Sequence, residues 1–213
     1  MKYTTLDDFE SSVLSHVPGC PLELIYLQLM KVMIDLCEKT NIWQEQMIPL
    51  TTYATVKLYP VEVPYRARLC FPENVKYKGK TLSKLNQSEF DAQYSDWRTK
   101  TAKEPTHFYM DEDNLIALYP IPTTNEVQSL TATLILKPDL KAREVPEFLL
   151  IQHLPTIEKG TIGELQKIPG KEWSSDAWQE NKRKYFSDLT TAKIDAIRQG
   201  AGGGLRVKLR GLR

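Results

Sequence analysis

The chain has 213 residues, of which 41% are hydrophobic and 26% are charged, as in an ordinary globular protein. This length allows one sizeable core, or one core that carries an inserted module. Because 28 basic residues are balanced by 27 acidic ones, the composition argues against a general attraction to nucleic acid or to membrane. Any electrostatic preference must therefore be local.

The first residues and the cysteines indicate the compartment. The segment "MKYTTLDDFESSVL" lacks the apolar core of a secretory signal, and no run approaches the roughly 18 apolar residues of a membrane-spanning helix. Cys20, Cys37 and Cys70 are odd in number and widely spaced, which favours reduced, partly buried thiols over a disulfide framework or a metal site. We expect synthesis in a cytoplasm and no membrane partner.

Residues 1–48 have the periodicity of helices. Apolar residues at helical spacing in "LDDFESSVLSH" predict a first helix, which "VPGCP" ends. Pro21 suits the first turn of a second helix. That helix has a broad apolar stripe at Leu22, Ile25, Tyr26, Leu29, Val32, Met33 and Leu36.

Residues 49–138 have the pattern of a β-rich insertion. Short runs such as "TTYATVKLYP", "YRARLCF" and "SLTATLILKP" are rich in strand-forming residues and are bounded by turn formers. They predict antiparallel strands, with "MDEDN" as a hairpin turn. The segment "NQSEFDAQYSDWRTK" predicts a helical excursion in which Trp97 anchors against the sheet.

Residues 139–200 return to the helical period. Pro146 can start a helix that Pro155 should kink or split. Ser174 or Ser175 can cap a last helix, which Gly200 is placed to stop. The predicted buried face of the first of these helices is Phe148, Ile151, Leu154, Ile162, Leu165 and Ile168; that of the last is Trp178, Tyr185, Phe186, Leu189, Ala192, Ala196 and Ile197. The predicted fold is α+β: a bundle of N- and C-terminal helices with an inserted antiparallel β-rich module and an extended tail over 201–213.

No motif in the sequence predicts catalysis. The "KGKT" at 78–81 lacks the first glycine of a phosphate-binding loop, so a β-turn is favoured. The acidic triplet 111–113 lacks the glycine and distal glutamate of a calcium loop. His16, His107 and His153 form no metal-binding pair, and no nucleophile elbow is present. We therefore predict no catalytic residue, cofactor or metal, and no enzymatic activity.

The tail is the clearest local bias in charge. After three glycines, apolar residues at 205, 207 and 209 alternate with cations at 206, 208 and 210. A period of two predicts an extended strand with one apolar and one cationic face. Such a strand gains main-chain hydrogen bonds by adding to the sheet edge or groove of a partner, and the glycines would let it reach.

Four segments resemble the head-to-tail adaptors, or connectors, of short-tailed bacteriophages. They are "LQLMKVMIDLCEKTNIWQEQ" (27–46), "VKYKGKTL" (75–82), "NLIALYPIP" (114–122) and the long segment from Val145 to Gly200. In that segment, a helix beginning near "PE" leads to "LxxxPGxxW", and a second helix carries a central aromatic residue and an "AK" pair. The sequence departs from the family at Thr161, Ile162 and Glu164, where small residues are common, which puts the local helix packing in question.

The resemblance implies a structural protein of the virion. It implies a homo-oligomeric ring of twelve copies beneath the portal protein, with a tail or nozzle protein docked below. Genomic DNA would pass through the lumen without sequence-specific binding, and a near-neutral subunit suits such a channel. The tail would dock on the portal through Leu205, Arg206, Val207, Lys208, Leu209, Arg210, Leu212 and Arg213.

Other readings of the tail and of the whole chain stay open at this point. The tail could be a disordered solubility segment, or it could contact DNA phosphates, in which case the chain would be a DNA-binding accessory protein. A hydrolase built on the β-rich segment is a third hypothesis for the chain, because residues distant in sequence can form a triad.

Overall fold

The computed structural model of the chain describes residues 1–111 and 114–200, the last two as backbone only. The chain divides into two compact units. The first unit consists of residues 1–42 and 137–213, and the second consists of residues 43–136. The predicted tail, 201–213, lies outside the described residues.

The described residues form five helices and thirteen strands. The helices are α1 (Asp7–Leu14), α2 (Leu22–Thr40), α3 (Gln87–Gln93), α4 (Glu147–Gln166) and α5 (Trp178–Gly200). The first seven strands are β1 (Tyr3–Thr5), β2 (Gln44–Gln46), β3 (Leu50–Thr52), β4 (Leu58–Pro60), β5 (Ala67–Tyr77), β6 (Lys80–Thr81) and β7 (Ser83–Lys84). The other six are β8 (Thr101–Ala102), β9 (His107–Met110), β10 (Leu115–Tyr119), β11 (Ile121–Pro122), β12 (Glu126–Pro138) and β13 (Glu144–Pro146).

In the first unit, α4 and α5 lie side by side and antiparallel. The Lys159 ammonium binds the Asp188 carboxylate at 2.8 Å, and the Asn181 amide donates to Gln166 Oε1 at 3.0 Å. Later residues of α4 therefore contact earlier residues of α5. Pro155 lies inside α4, which continues without a break from Glu147 to Gln166.

Helix α2 packs against both of these helices through its apolar stripe. Ile25, Leu29, Met33 and Leu36 are completely buried, at the three- and four-residue steps that keep side chains on one face. The Tyr185 hydroxyl of α5 donates to Asp35 Oδ2 of α2 at 2.8 Å. The helix ends at Asn41, whose left-handed φ of 57° suits a C-terminal cap.

Two short strands complete the first unit. Strands β1 and β13 pair antiparallel, with Tyr3 opposite Pro146 and Thr5 opposite Glu144. The Glu147 amide then donates to the Lys2 carbonyl at 3.0 Å. Because the pair is antiparallel, α1 follows the end of the ladder at Thr5, and α4 follows the opposite end at Pro146.

In the second unit, the strands form several small sheets. A five-stranded sheet includes the order β2-β12-β5-β6, with β3 also paired to β12, and a four-stranded sheet has the order β4-β10-β9-β7. Strands β7 and β9 are parallel, and so are β8 and β11. The turn between β5 and β6 contains Lys78 and Gly79 at φ of 48° and 79°, which confirms the predicted β-turn at "KGKT".

An aromatic cluster fixes α3 within the second unit. The Phe90 ring lies 5.2 Å, centroid to centroid, from both Trp97 and Tyr119, and is completely buried. The Trp97 indole donates to Asp91 at 2.7 Å. The predicted anchoring role of Trp97 is therefore confirmed. An Asn86–Glu89 capping box starts the helix.

The predicted fold class is wrong as an architecture. The chain is α+β, but it is not a helical bundle with a small inserted module: it is rich in strands, and β1 and β13 pair within the helical unit. The expectation of an antiparallel module also fails, because two of the strand pairs are parallel. Three-residue strands are too short to show a period of two, and the direction of pairing depends on the path of the connecting loops.

The predicted buried faces of α4 and α5 were partly wrong as well. Ile151 on α4 is 70% exposed, and Phe186 and Ile197 on α5 are 50% and 51% exposed. On α4, Leu149 and Ile157 are buried instead. Of these three exposed residues, Phe186 and Ile197 belong to the candidate surface on α5 described below.

Candidate interaction surfaces

One side of α5 presents apolar side chains to solvent. Phe186, Ile194 and Ile197 are 50%, 44% and 51% exposed. At 3.6 residues per turn they lie on one side of the helix, next to the face on which Tyr185, Leu189, Ala192 and Ala196 are buried. We call these three exposed residues the α5 stripe. Several exposed apolar side chains on one side of a helix are typical of a protein-binding surface.

Two lysines lie beside Phe186, at the N-terminal end of the α5 stripe. The Lys39 and Lys182 ammonium groups lie 5.5 and 5.3 Å from the centroid of the Phe186 ring. Lys39 also binds Asp35 at 2.7 Å, and Lys182 binds Glu164. A cleft of about 510 Å³ between α2 and α5 opens beside this ring, with Lys193 on its wall. An apolar partner with an acidic rim would match this surface.

A second surface is a groove between α1, α2 and residues 140–144. Its volume is about 540 Å³. Leu27 and Leu140 on its walls are 40% and 52% exposed, and Met30 and Ala142 at its floor are 2% and 8% exposed. We call it the N-terminal groove. Its apolar walls can hold aliphatic side chains.

The N-terminal groove also contains charged groups. Asp7, Glu23 and Glu144 line it on the acidic side, and Lys141 and Arg143 line it on the basic side. Glu10 and Asp8 of α1 lie next to these residues in sequence.

A tyrosine at the wall of the groove contacts two carboxylates. The Tyr26 hydroxyl lies 2.6 Å from Glu10 Oε2 and 2.8 Å from Asp7 Oδ1. Hydrogen bonds to Glu10 and Asp7 raise the pKa of Tyr26 well above its ordinary value. A hydroxyl donates only one proton at a time, so the two carboxylates share a single donor.

The predicted site residues are distributed as follows. The predicted portal-binding residues, from Leu205 to Arg213, lie outside the described residues. Of the acidic triplet, Asp111 is described, and residues 112 and 113 lie outside the described part. The prediction of partly buried thiols outside any disulfide is confirmed: Cys20 and Cys37 are buried and Cys70 is half-buried.

The histidines lie at three separate places. His16 is 3.5 Å from the Glu158 carboxylate, and His107 contacts the Thr106 hydroxyl at 2.8 Å. His153 packs edge-on against Phe148, with ring centroids 6.1 Å apart. Burial lowers the pKa of His153, and the Asp195 carboxylate on α5 opposes that shift.

Two further kinds of site are absent from residues 1–111 and 114–200. Within these ranges no group of three or more His, Cys, Asp or Glu residues could hold a metal ion. No helix in the same ranges is long and apolar enough to cross a membrane.

Sequence reasoning missed both surfaces. In α5 a signal was present, because apolar residues at 185, 186, 189, 192, 194, 196 and 197 are too many for one helical face. The N-terminal groove had no such signal, since its walls come from segments more than a hundred residues apart, which only the folded chain brings together.

Comparison with known proteins did not identify the chain. No family model matches it, and no curated protein matches its sequence. The likeness to adaptors of short-tailed bacteriophages therefore stays a prediction from the sequence.

Proposed function

We propose that the chain is a structural protein of a virus particle, a head-to-tail adaptor that assembles into a ring beneath the portal and provides the docking platform for tail components. The observation that carries the proposal is the α5 stripe: three large apolar side chains, about half exposed, on a helix whose neighbouring face is fully packed. An exposed apolar strip on an otherwise well-packed helix is explained by a protein partner.

A ring explains why such a strip would be kept on the surface. In a closed ring, each copy uses one patch to contact a different patch on the next copy, and the assembly stops growing when the rotation closes. The lysines around Phe186 would then form the polar rim of an apolar contact. The four segments that resemble the adaptor family include all of α4 and α5 and most of α2.

The tail supplies the contact with the portal in this proposal. Four cations and no acid occur between residues 205 and 213. Charge-assisted hydrogen bonds from arginines to acidic groups of the portal, together with main-chain pairing, would hold the tail there. The remainder of the chain, with 24 basic and 27 acidic residues, has a small net negative charge and would let DNA pass without holding it.

Removal of the tail tests the proposal against its rival. A chain that ends at Gly204 should lose attachment to portal rings in a co-sedimentation assay, and the full chain should retain it. Attachment at the full-length affinity without the tail would refute the docking role.

The DNA-binding alternative gives a different result in the same pair of proteins. Tight binding of the full chain to duplex DNA that weakens steeply with salt, and that disappears on truncation, would favour a DNA-binding accessory protein. The adaptor proposal expects weak DNA binding from both chains.

A further inference from the structure

We propose that the N-terminal groove receives the C-terminal segment of its own chain, residues 205–213, in the free protein. The inference goes beyond the adaptor function, because it concerns a contact within one chain and requires no portal. Three properties of the groove and the segment support it: shape and polarity, charge, and reach.

The groove suits an extended segment with alternating side chains. Leu27 and Leu140 are exposed on its walls, and Met30 lies at its floor. The segment "LRVKLRGLR" has aliphatic residues at 205, 207 and 209. In an extended conformation these three side chains project from one side of the backbone, so they can enter the groove together.

The opposite side of the segment is cationic, and the groove is lined by three acids, Asp7, Glu23 and Glu144, and by two bases, Lys141 and Arg143. Arg206, Lys208 and Arg210 would project away from the groove floor. Asp7 and Glu23 lie on the rim, and Glu10 shares the Tyr26 hydroxyl with Asp7. A guanidinium beside Asp7 and Glu10 would supply the donors that a single hydroxyl cannot.

The end of α5 is close enough for the segment to reach. The contacts between α4 and α5 run antiparallel, and counting along them places residue 200 opposite Glu147. Adjacent helix axes are about 8–10 Å apart. Glu147 is three residues from Glu144 on the groove wall, about 10 Å in extended chain. The end of α5 is thus at most about 20 Å from the groove wall at Glu144, and the six residues 201–206 span about 20 Å when extended.

Attachment to the same chain favours this occupant over a second copy. A segment tethered by the four residues 201–204, three of them consecutive glycines, has an effective concentration in the millimolar range at its own groove. A weak contact is then occupied most of the time. The portal contact and the groove contact would be alternative states of the same segment.

Trypsin cleavage of the full chain tests the proposal, because Arg206, Lys208 and Arg210 are substrates only when the segment leaves the groove. A millimolar effective concentration against a dissociation constant of about 0.1 mM predicts cleavage about ten-fold slower than in a free peptide of residues 201–213. Cleavage is followed by mass spectrometry.

Two groove variants and two matched controls make the test specific. Glu23→Lys reverses a rim charge, and Leu140→Ser removes an exposed wall side chain; each should return cleavage to the peptide rate. Glu73→Lys and Ile48→Ser change an exposed acid and an exposed apolar residue of the second unit, and they should leave cleavage slow. All four positions are exposed, so thermal unfolding should not change.

Three results would overturn the inference. They are wild-type cleavage at the rate of the free peptide, slow cleavage that neither groove variant accelerates, and protection that increases with protein concentration, which would indicate the groove of a second copy. Portal attachment is measured separately on the same variants. If the wild-type chain did not attach to portal rings, that result would count against the adaptor function and would leave the cleavage result unaffected.

Discussion

Gly160 shows at the residue scale how closely α2, α4 and α5 approach one another. A Cβ atom added there would lie 2.7 Å from Val32 Cγ1 and 2.9 Å from Tyr185 Cδ2. The Tyr185 ring cannot retreat easily, because its hydroxyl is hydrogen-bonded to Asp35 and only 2% of the residue is exposed. The absence of a side chain at Gly160 is therefore a condition of the packing of the three helices.

We expect Gly160→Ala to lower the free energy of unfolding by about 1–3 kcal/mol, since overpacking exceeds the gain in helix propensity. Urea denaturation measures the effect. The matched control is Gly163→Ala, where the nearest atom is Lys182 Cγ at 3.1 Å, on a long side chain that can move. There stability should be unchanged or raised by up to about 1 kcal/mol. Equal effects at the two glycines would contradict the packing described here.

His153 gives a prediction about pH. Burial lowers its pKa in the folded chain below the ordinary value of 6.5, so the unfolded chain binds the proton more readily. The contribution of the neutral His153 side chain to the free energy of unfolding is complete above pH 6.5. It is lost as pH falls from there through the lower pKa of the folded state. Wild-type stability should therefore fall more steeply than that of His153→Gln between about pH 7.5 and 5. The free energy of unfolding of both proteins is measured by urea titration at each pH. If it changed with pH equally in the wild type and in His153→Gln, burial of the imidazole would have no effect on the pH dependence of stability.

At the scale of elements, α5 has two kinds of apolar residue that the sequence alone does not separate. Leu189 is 6% exposed and packs into the core, while Ile197 is 51% exposed on the α5 stripe. We expect Leu189→Ala to cost about 2–5 kcal/mol and Ile197→Ala to cost about 0.5 kcal/mol or less. Thermal and urea unfolding measure both. If Ile197→Ala were as destabilising as Leu189→Ala, the stripe would belong to the core.

The helices were largely predictable from the sequence, and their exposed faces were not. The period of α2 and the break around Pro21 predicted where the first two helices lie. Which of two adjacent apolar faces of α5 is buried depends on where α2 and α4 lie, so Phe186 and Ile197 were assigned to the wrong face. Likewise, Thr161 and Ile162 are buried in α4, and the close approach there is made possible by Gly160.

The strands and the N-terminal groove depended still more on contacts that are distant in sequence. The pairing of Thr5 with Glu144 carries no local signal, because neither three-residue strand shows alternation. The same contact brings the loop at 140–144 against α1 and α2 and so forms the groove.

At the scale of the whole molecule, the two units of the chain, residues 1–42 with 137–213 and residues 43–136, have different contents: long helices dominate the first, and small sheets dominate the second.

Assembly with the portal is the central claim, and the mass of the purified protein in solution tests it most directly. We expect the chain alone to have a mass near 24.5 kDa, that of one copy. After portal rings are added, native mass spectrometry should show a complex that consists of the portal and a fixed number of copies of the chain. That number is twelve if the adaptor proposal is correct in full. Ile197→Ser in the α5 stripe should leave the monomer folded and reduce ring formation. A chain that remains monomeric in the presence of portal, or that binds duplex DNA tightly as a monomer, would contradict the proposal.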